Sequence, residues 1–322
     1  MTKRALATPR ALAVEALTRI SRQHAYSNLE LNQLLAKHPL SGVDRRLLTS
    51  LVYGTLQHRL TLQAWLTPRV HRQLDDWVEE LLLMTLYQYH YLERVPNFAA
   101  TNEAIEIAKQ RGGAGVRKFV TGVLHAVLRA PFPDPAKLSD PVQRLSLAAS
   151  LPEWLVRQLI EEYGLAAAER VAASVNQPPH QSVRVNRAKA TPETAIAALK
   201  REGVTAKPSA VAGDGLVLEG GRLFETAAFR EGLVTVQDES AMLAAESMDL
   251  SAAQLVLDAC SAPGGKTGQL AAALADHGGR VIALDIHAHK VRLVKQNLAR
   301  LGLAGVVDTP QGIDQETGFL LR

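Results

Sequence analysis

Residues 255–270 read LVLDACSAPGGKTGQL. A short apolar run ends in Asp258, a Gly pair and Lys266-Thr267 follow, and a helix-forming segment begins at once. An apolar strand that passes through glycines into a helix presents backbone N–H groups to an anionic ligand. The flanks extend the pattern. ESAMLAAESMDL (239–250) predicts a helix, QLVLDAC (254–260) a strand, GKTGQLAAALADHG (265–278) a helix and GRVIALDI (279–286) a strand. HAHKVRLVKQNLARLGL (287–303) then predicts a helix and AGVVD (304–308) a third strand. Such alternation implies a parallel sheet with crossover helices, whose ligands bind at the carboxyl ends of the strands.

Three ligands compete for this loop. A phosphate-binding loop, G-x-x-x-x-G-K-[ST], needs glycine at position 260, where Cys260 stands, so the pattern fails at one fixed position. A dinucleotide loop needs G-x-G-x-x-G, and residues 260–265 contain no such spacing. S-adenosylmethionine carries a carboxylate, which suits backbone N–H groups at a helix N-terminus. Its ribose calls for an acid closing the second strand, and Asp285 stands there, 20 residues beyond Gly265. A carboxylate after a buried strand is also a common turn residue; the spacing favours the ligand. Asp258 either binds ligand or caps the turn.

The chain has 322 residues, 47% hydrophobic and 21% charged, enough for two or three domains with cores of their own. No secretory signal pattern and no apolar run long enough to span a bilayer is present, so a soluble, cytoplasmic protein is expected. Cys260 is the single cysteine, which excludes an intrachain disulfide framework and multi-cysteine zinc sites. Residues 1–130 hold 17 Lys and Arg against 10 Asp and Glu, whereas the remainder is slightly acidic. A basic N-terminal domain offers a foothold for a phosphate backbone, although a solvated Arg-rich helical surface has the same composition.

Those first 130 residues read as helices. TPRALAVEALTRISRQ has Thr8 as N-cap, Pro9 in the first turn and apolar residues at helical spacing; VDRRLLTSLVYGTLQHRL, LDDWVEELLLMTLYQYHYL, TNEAIEIAKQ and GVRKFVTGVLHAVLR repeat the pattern. Trp77, Tyr87 and Tyr91 read as core rather than as a base-stacking platform. APFPDP (130–135) marks a linker, assigned to residues 131–140. Residues 141–236 read as a small α+β module: SLPEWLVRQLIEEYG a helix capped by Ser150, SVRVN a strand, PETAIAALKREG a helix, and GLVLEGG, RLFETAAF and GLVTVQD strand-like runs. The α/β segment occupies residues 237–322.

DACSAPGGKT (258–267) closely resembles the cofactor loop of the RNA cytosine carbon-5 methyltransferases, and VQDESAMLAA (236–245) the segment that precedes it in that family. LPEWLVRQLIEEYG and SVRVNRAKAT resemble the family's RNA-side module, and the helical N-terminus the NusB-like domain of the bacterial Sun/Fmu (RsmB) type, which acts on 16S ribosomal RNA. The likeness runs from about residue 5 to 305. It implies a multidomain fold: an all-α NusB-like domain, a small α+β module, and a partial Rossmann-like methyltransferase domain. It implies S-adenosyl-L-methionine contacts from Cys260, Ser261, Ala262, Pro263, Gly264, Gly265, Lys266 and Asp285. A third acid is expected after the third strand, Asp308 or Asp314, with Asp314 preferred because the family often has Gly before that acid. Arg45, Arg46, Arg117 and Lys118 are expected RNA contacts; Arg184 and Asn186, in RVN, are either RNA-side residues or an exposed strand with a turn-capping Asn. The expected partner is 16S ribosomal RNA, met by a monomer with no membrane and no metal.

The chain departs from the family in its nucleophile. Carbon 5 of cytosine becomes a methyl acceptor once a thiolate adds to carbon 6. The family places cysteines in Thr-Cys-Ser and Pro-Cys motifs, and neither motif occurs here. Cys260 belongs to the cofactor loop, where a small side chain packs against the methionine part. A sheet of this class also needs further strands, whereas TPQGIDQETGFLLR (309–322) matches nothing further in the family. The expectation is therefore a shortened catalytic domain with uncovered apolar faces and no turnover. A non-catalytic RNA-binding or regulatory protein of the same descent is the second reading, and a phosphate-loop ATPase the third.

Overall fold

The computed structural model describes residues 8–23, 25–129 and 132–309, and the backbone of 312–313 and 320–321. The chain divides into two compact units, residues 1–177 and 178–322.

The first unit is helical: α1 (Pro9–Gln23), α2 (Ser27–Lys37), α3 (Gly42–Gln57), α4 (Arg59–Leu66), α5 (Asp76–Tyr91), α6 (Asn97–Arg129), α7 (Pro141–Ala149), α8 (Glu153–Tyr163) and α9 (Leu165–Ser174). Thr8 begins α1 as expected, its Oγ1 accepting from the Ala11 N–H at 3.3 Å. Helix α5 is apolar around most of its circumference, with Leu81, Leu82, Leu83, Met84 and Leu86 wholly buried, and so forms the centre on which α1, α3, α4 and α6 pack. Tyr87 is buried, Trp77 and Tyr91 pack against the same core, and the His58 ring stacks on Tyr91 at 3.9 Å. Helix α6 breaks at Gly113, where φ is +77°, a value that side-chain-bearing residues seldom adopt.

One carboxylate lies within this core. Glu80 on α5 accepts two 2.7 Å hydrogen bonds from Arg59 Nη2 at the start of α4, and a third from Ser21 on α1. Burial pushes its carboxyl above the ordinary value, and the Arg59 charge and hydrogen bonds oppose that shift.

By their contacts, helices α7–α9 fall in the first unit. The Thr61 hydroxyl donates to the Leu147 carbonyl at 2.7 Å, and Asn176 Oδ1 accepts from Gln57 at 3.0 Å. Ser150 differs from its expected role. It ends α7 in the left-handed conformation, φ +56°, and its Oγ accepts from the Leu60 N–H, while Pro152 stands at the N-cap of α8 with no side-chain bond. A serine between two abutting helices can serve either end, and here the tertiary acceptor role prevails.

In the second unit follow β1 (Gln181–Val185), α10 (Pro192–Arg201), β2 (Thr205–Pro208), β3 (Gly215–Gly220), α11 (Ala227–Arg230), β4 (Val234–Val236), α12 (Glu239–Glu246), β5 (Leu255–Asp258), α13 (Gly265–Ala275), β6 (Arg280–Ala283), α14 (Ala288–Leu301), β7 (Val307–Asp308), β8 (Gly312–Ile313) and β9 (Leu320–Leu321). Strands β2-β3-β1-β4 form an antiparallel sheet; β5-β6-β7 form a parallel one; β8 and β9 pair with each other. RLFETAAF is helical where a strand was expected. The Thr226 hydroxyl accepts from the Phe229 N–H at 3.1 Å and Glu202 accepts from the Ala227 N–H at 2.7 Å, so two acceptors begin α11. The parallel sheet is covered by α13 and α14 through Leu274, Val294 and Leu298, whereas Leu255 and Leu257 on β5 are 61% and 59% exposed. An uncovered apolar face of this kind was expected from the sequence.

Glu80→Ala leaves the Arg59 guanidinium half-buried without its carboxylate. We expect thermal unfolding to show a loss of about 3 kcal/mol, the usual cost of breaking one side of a buried pair. A loss below about 1 kcal/mol would show that the pair is no more than a surface contact.

Candidate cofactor site

The loop from β5 to α13 is closed by its own first and last polar residues. Asp258, at the end of β5, accepts from the Thr267 hydroxyl at 2.7 Å with one oxygen and from the Cys260 N–H at 3.3 Å with the other. Of the two roles open to Asp258, the structure shows the turn-closing one. Ser261 ties the loop to the next strand: its N–H and its hydroxyl both donate to the Leu284 carbonyl at 2.8 Å. The Leu284 N–H donates in turn to the Asp258 carbonyl at 2.8 Å. Asn297 on α14 holds the far side, donating to the Pro263 carbonyl at 2.7 Å.

Glycines let the helix start where it does. Gly264 adopts φ +101° at the N-cap of α13. At Gly268 an added Cβ would lie 2.9 Å from Leu301 Cδ1 and 3.4 Å from Arg184 Nη2, so a side chain there would require the Leu301 side chain to shift. Cys260, Pro263 and Lys266 are exposed, whereas Ser261, Gly264 and Thr267 are buried. The N–H groups of the first helical turn have no acceptor within their own helix and carry the positive end of its dipole.

Asp285 completes this end of the sheet. Asp258 and Ala283 are register partners, so Asp285 stands two residues beyond the same edge, partly exposed, with Oδ1 accepting from the His287 N–H at 3.0 Å and Oδ2 accepting no hydrogen bond among the described residues. Asp308 is engaged elsewhere: Arg280 grips it with two bonds of 2.6 and 2.9 Å, and this pairing holds its carboxyl below the usual range. Asp314 lies outside the described residues.

Arg184 and Asn186 are corrected as to exposure, whereas Asn186 does close the turn after β1, its Oδ1 accepting from the Ala188 N–H at 3.3 Å. Neither is on an exposed strand: they are 1% and 0% exposed. Asn186 Nδ2 donates to the carbonyls of Gly232 and Leu301 at 2.9 and 2.8 Å. Arg184 Nε donates to Gln237 Oε1 at 2.9 Å, Gln237 Nε2 to Gln269 Oε1 at 2.9 Å, and Gln269 Nε2 to the Met242 carbonyl at 3.0 Å. Burial lowers the Arg184 pKa to about 10, against the opposing pull of Asp214. RNA therefore has no access to either residue. The apolar alternation around them, V-R-V-N, belongs to a strand buried on both sides, and Gln237 and Gln269 are the partners that the sequence reading missed. Gln237 was visible as the one polar residue between the β4 run and the cap of α12.

In the first unit Arg45, Arg46, Arg117 and Lys118 are all exposed. Lys118 also lines an open groove of about 680 Å³ with Arg69, Arg72, Phe119 and the glycines of α6, and Arg72 lies over the Phe119 ring at 4.0 Å.

Comparison with known proteins now decides the family. Residues 7–129 match the NusB family, residues 151–224 the RsmF/B-like ferredoxin-like domain, and residues 245–313 the 16S rRNA methyltransferase RsmB/F. The chain belongs to the RsmB/F family. A probable ribosomal RNA small subunit methyltransferase B of Bacillus subtilis is 42% identical over 91% of this chain and 66% of its own length. That of Synechocystis is 32% identical over 92% and 68%, and the Pseudomonas syringae protein 36% over 92% and 65%. The chain thus spans about two thirds of the length of these relatives. Among solved structures PH0851 has the same fold, with a TM-score of 0.68 and 23% identity over 93% of this chain and 68% of its own. Within the RsmB/F family match, the Asp258–Thr267 clamp, the glycine turn and Asp285 fall in one segment.

Thr267→Val keeps the shape of the side chain and removes its donor to Asp258. We expect a loss of about 1–2 kcal/mol in thermal stability and faster protease cleavage between residues 258 and 267. Unchanged cleavage would mean that the clamp does not hold the loop.

Proposed function

We propose that the β5–α13 loop binds S-adenosylmethionine, and that the activity to which this chain belongs is methylation of carbon 5 of a cytosine in 16S ribosomal RNA. The observation carrying the first part is the Asp258–Thr267 clamp, which satisfies Asp258 internally and leaves the first-turn N–H groups of α13 and the free oxygen of Asp285 at one sheet end. The residues fit the cofactor by charge: amides at a positive helix end suit its carboxylate, and an acid suits its ribose hydroxyls. When bound, the cofactor supplies an electrophilic methyl group.

The chain's own residues bind and orient. Ser261 and Asn297 hold the loop on both flanks, and Gly264 turns it so that backbone rather than side chain faces the ligand. RNA is proposed to meet the basic first unit, where Arg45, Arg46, Arg117 and Lys118 are free to contact phosphates and the Arg69–Arg72–Lys118 groove offers three cations beside Phe119. The second reading, RNA binding without catalysis, is favoured by the thiol count. Cys260 is the sole cysteine, and its backbone is tied into the cofactor loop. A thiolate committed to that loop is not placed for carbon 6 of a base, so this 322-residue chain is proposed to bind without turning over.

Calorimetry is expected to show tighter binding of S-adenosylhomocysteine than of ATP, with Asp285→Ala weakening the former by about 1.5–3 kcal/mol through loss of a charge-assisted hydrogen bond. Tighter ATP binding would restore the phosphate-loop reading. With unmodified 16S ribosomal RNA and labelled S-adenosylmethionine, the chain is expected to transfer no methyl group above background, and Cys260→Ser to change nothing. Transfer that depends on Cys260 would overturn the proposed division of roles.

A further inference from the structure

Arg184 poses a physical question of its own. A guanidinium 1% exposed makes no salt bridge within 4 Å among the described residues. Burying a charge without a paired carboxylate is costly, and a neutral side chain would fill the same space at lower cost. What its neighbours share is the first turn of α13. Nη2 lies 3.4 Å from the Gly265 carbonyl, and Nε reaches Gln237, whose amide continues to Gln269 one turn further along the same helix. The Gln237 side chain also sits 3.6 Å from the place a Gly265 Cβ would take, so the turn is seated on this pair. The buried guanidinium therefore lies against the first turn of α13, while Cys260 and Lys266 of the same loop are exposed.

We infer that Arg184 is a positioning residue for the cofactor's carboxylate: through Gln237 and the Gly265 carbonyl it fixes the first turn of α13, and its charge adds to the positive end of that helix. This rests on the proposed cofactor reading and deepens it. A fixed charge behind oriented amides strengthens their attraction for an anion in a poorly hydrated site. It also explains the preference for an unpaired arginine, because a carboxylate partner would cancel the field that the loop uses. Lining the small cavity beside it are Arg187, Asp214 and Glu246; Asp214 is near enough to pull on the Arg184 charge, but its ion pair is with Arg187 at 3.4 Å.

The test separates charge on the methionine end from mere folding. Binding of two probes to the full 322-residue chain is measured by calorimetry: S-adenosylhomocysteine, which has the carboxylate, and methylthioadenosine, which has the same nucleoside but lacks it. Arg184→Met is expected to weaken S-adenosylhomocysteine about tenfold while methylthioadenosine stays within about twofold, and Arg184→Lys to restore most of the difference. If Arg184→Met does not fold, judged by circular dichroism, the same comparison is made with Gln237→Leu, which removes the link from Arg184 to α13, and the larger loss should again fall on S-adenosylhomocysteine. Equal losses for both probes, or no loss, overturn the inference and leave Arg184 a packing residue. A native chain that binds neither probe overturns the cofactor reading itself.

Discussion

The bond between Asp258 and Thr267 spans a loop that would otherwise have many conformations. Ordering each loop residue costs on the order of 1–2 kcal/mol in backbone entropy, so a loop of this length requires several fixed points. Asp258, Ser261, Asn297 and the Gly264 turn are those points, and they come from β5, the loop itself and α14. Every one satisfies a polar group inside the protein. Among the described residues, the first-turn N–H groups of α13 have no acceptor within their own helix and one oxygen of Asp285 accepts no hydrogen bond.

Much of this was legible in the residues from 255 to 308, because parallel strands and crossover helices announce themselves by short apolar runs alternating with amphipathic ones. The order β5-α13-β6-α14-β7 follows directly from that pattern. Thr8, Asp285 and the loop glycines are local signals and stand where local chemistry puts them. RLFETAAF failed as a strand because Thr226 and Glu202 act as helix-starting acceptors, and Glu202 lies 25 residues away in sequence. Ser150 failed as a cap for the same reason: its partner, Leu60, is 90 residues away. Long-range acceptors have no periodicity to read.

Arg184 and Asn186 show a different limit. Polar residues in a short alternating strand normally mark its wet face. Here the strand's second face is covered by α12, α13 and α14 of its own unit, and the polar residues serve carbonyls and amides that no water reaches. A buried amide network that is satisfied at every member fixes one arrangement, since any other leaves a group unpaired at a cost of about 1–3 kcal/mol.

That network bears on where the chain can be cut. The change to alternating strands and helices after residue 236 suggested a boundary between an RNA-side module and the α/β segment, and hydrogen bonds cross that point densely. Arg184 and Asn186 on the antiparallel sheet reach α13 and α14; Lys189 donates to the Arg300 carbonyl at 3.1 Å; Arg300 donates back to Phe229 and Val234 at 2.6 and 3.1 Å and lies over the Phe229 ring at 4.4 Å. At Gly232 an added Cβ would stand 2.3 Å from the Arg300 carbonyl, which is contact of core quality. A boundary placed there would expose three charged side chains, Arg184, Lys189 and Arg300, and at least four carbonyls whose partners lie on the other side. The antiparallel sheet is thus the wall against which α13 is set, with Arg184 of β1 carrying the contact to Gly265.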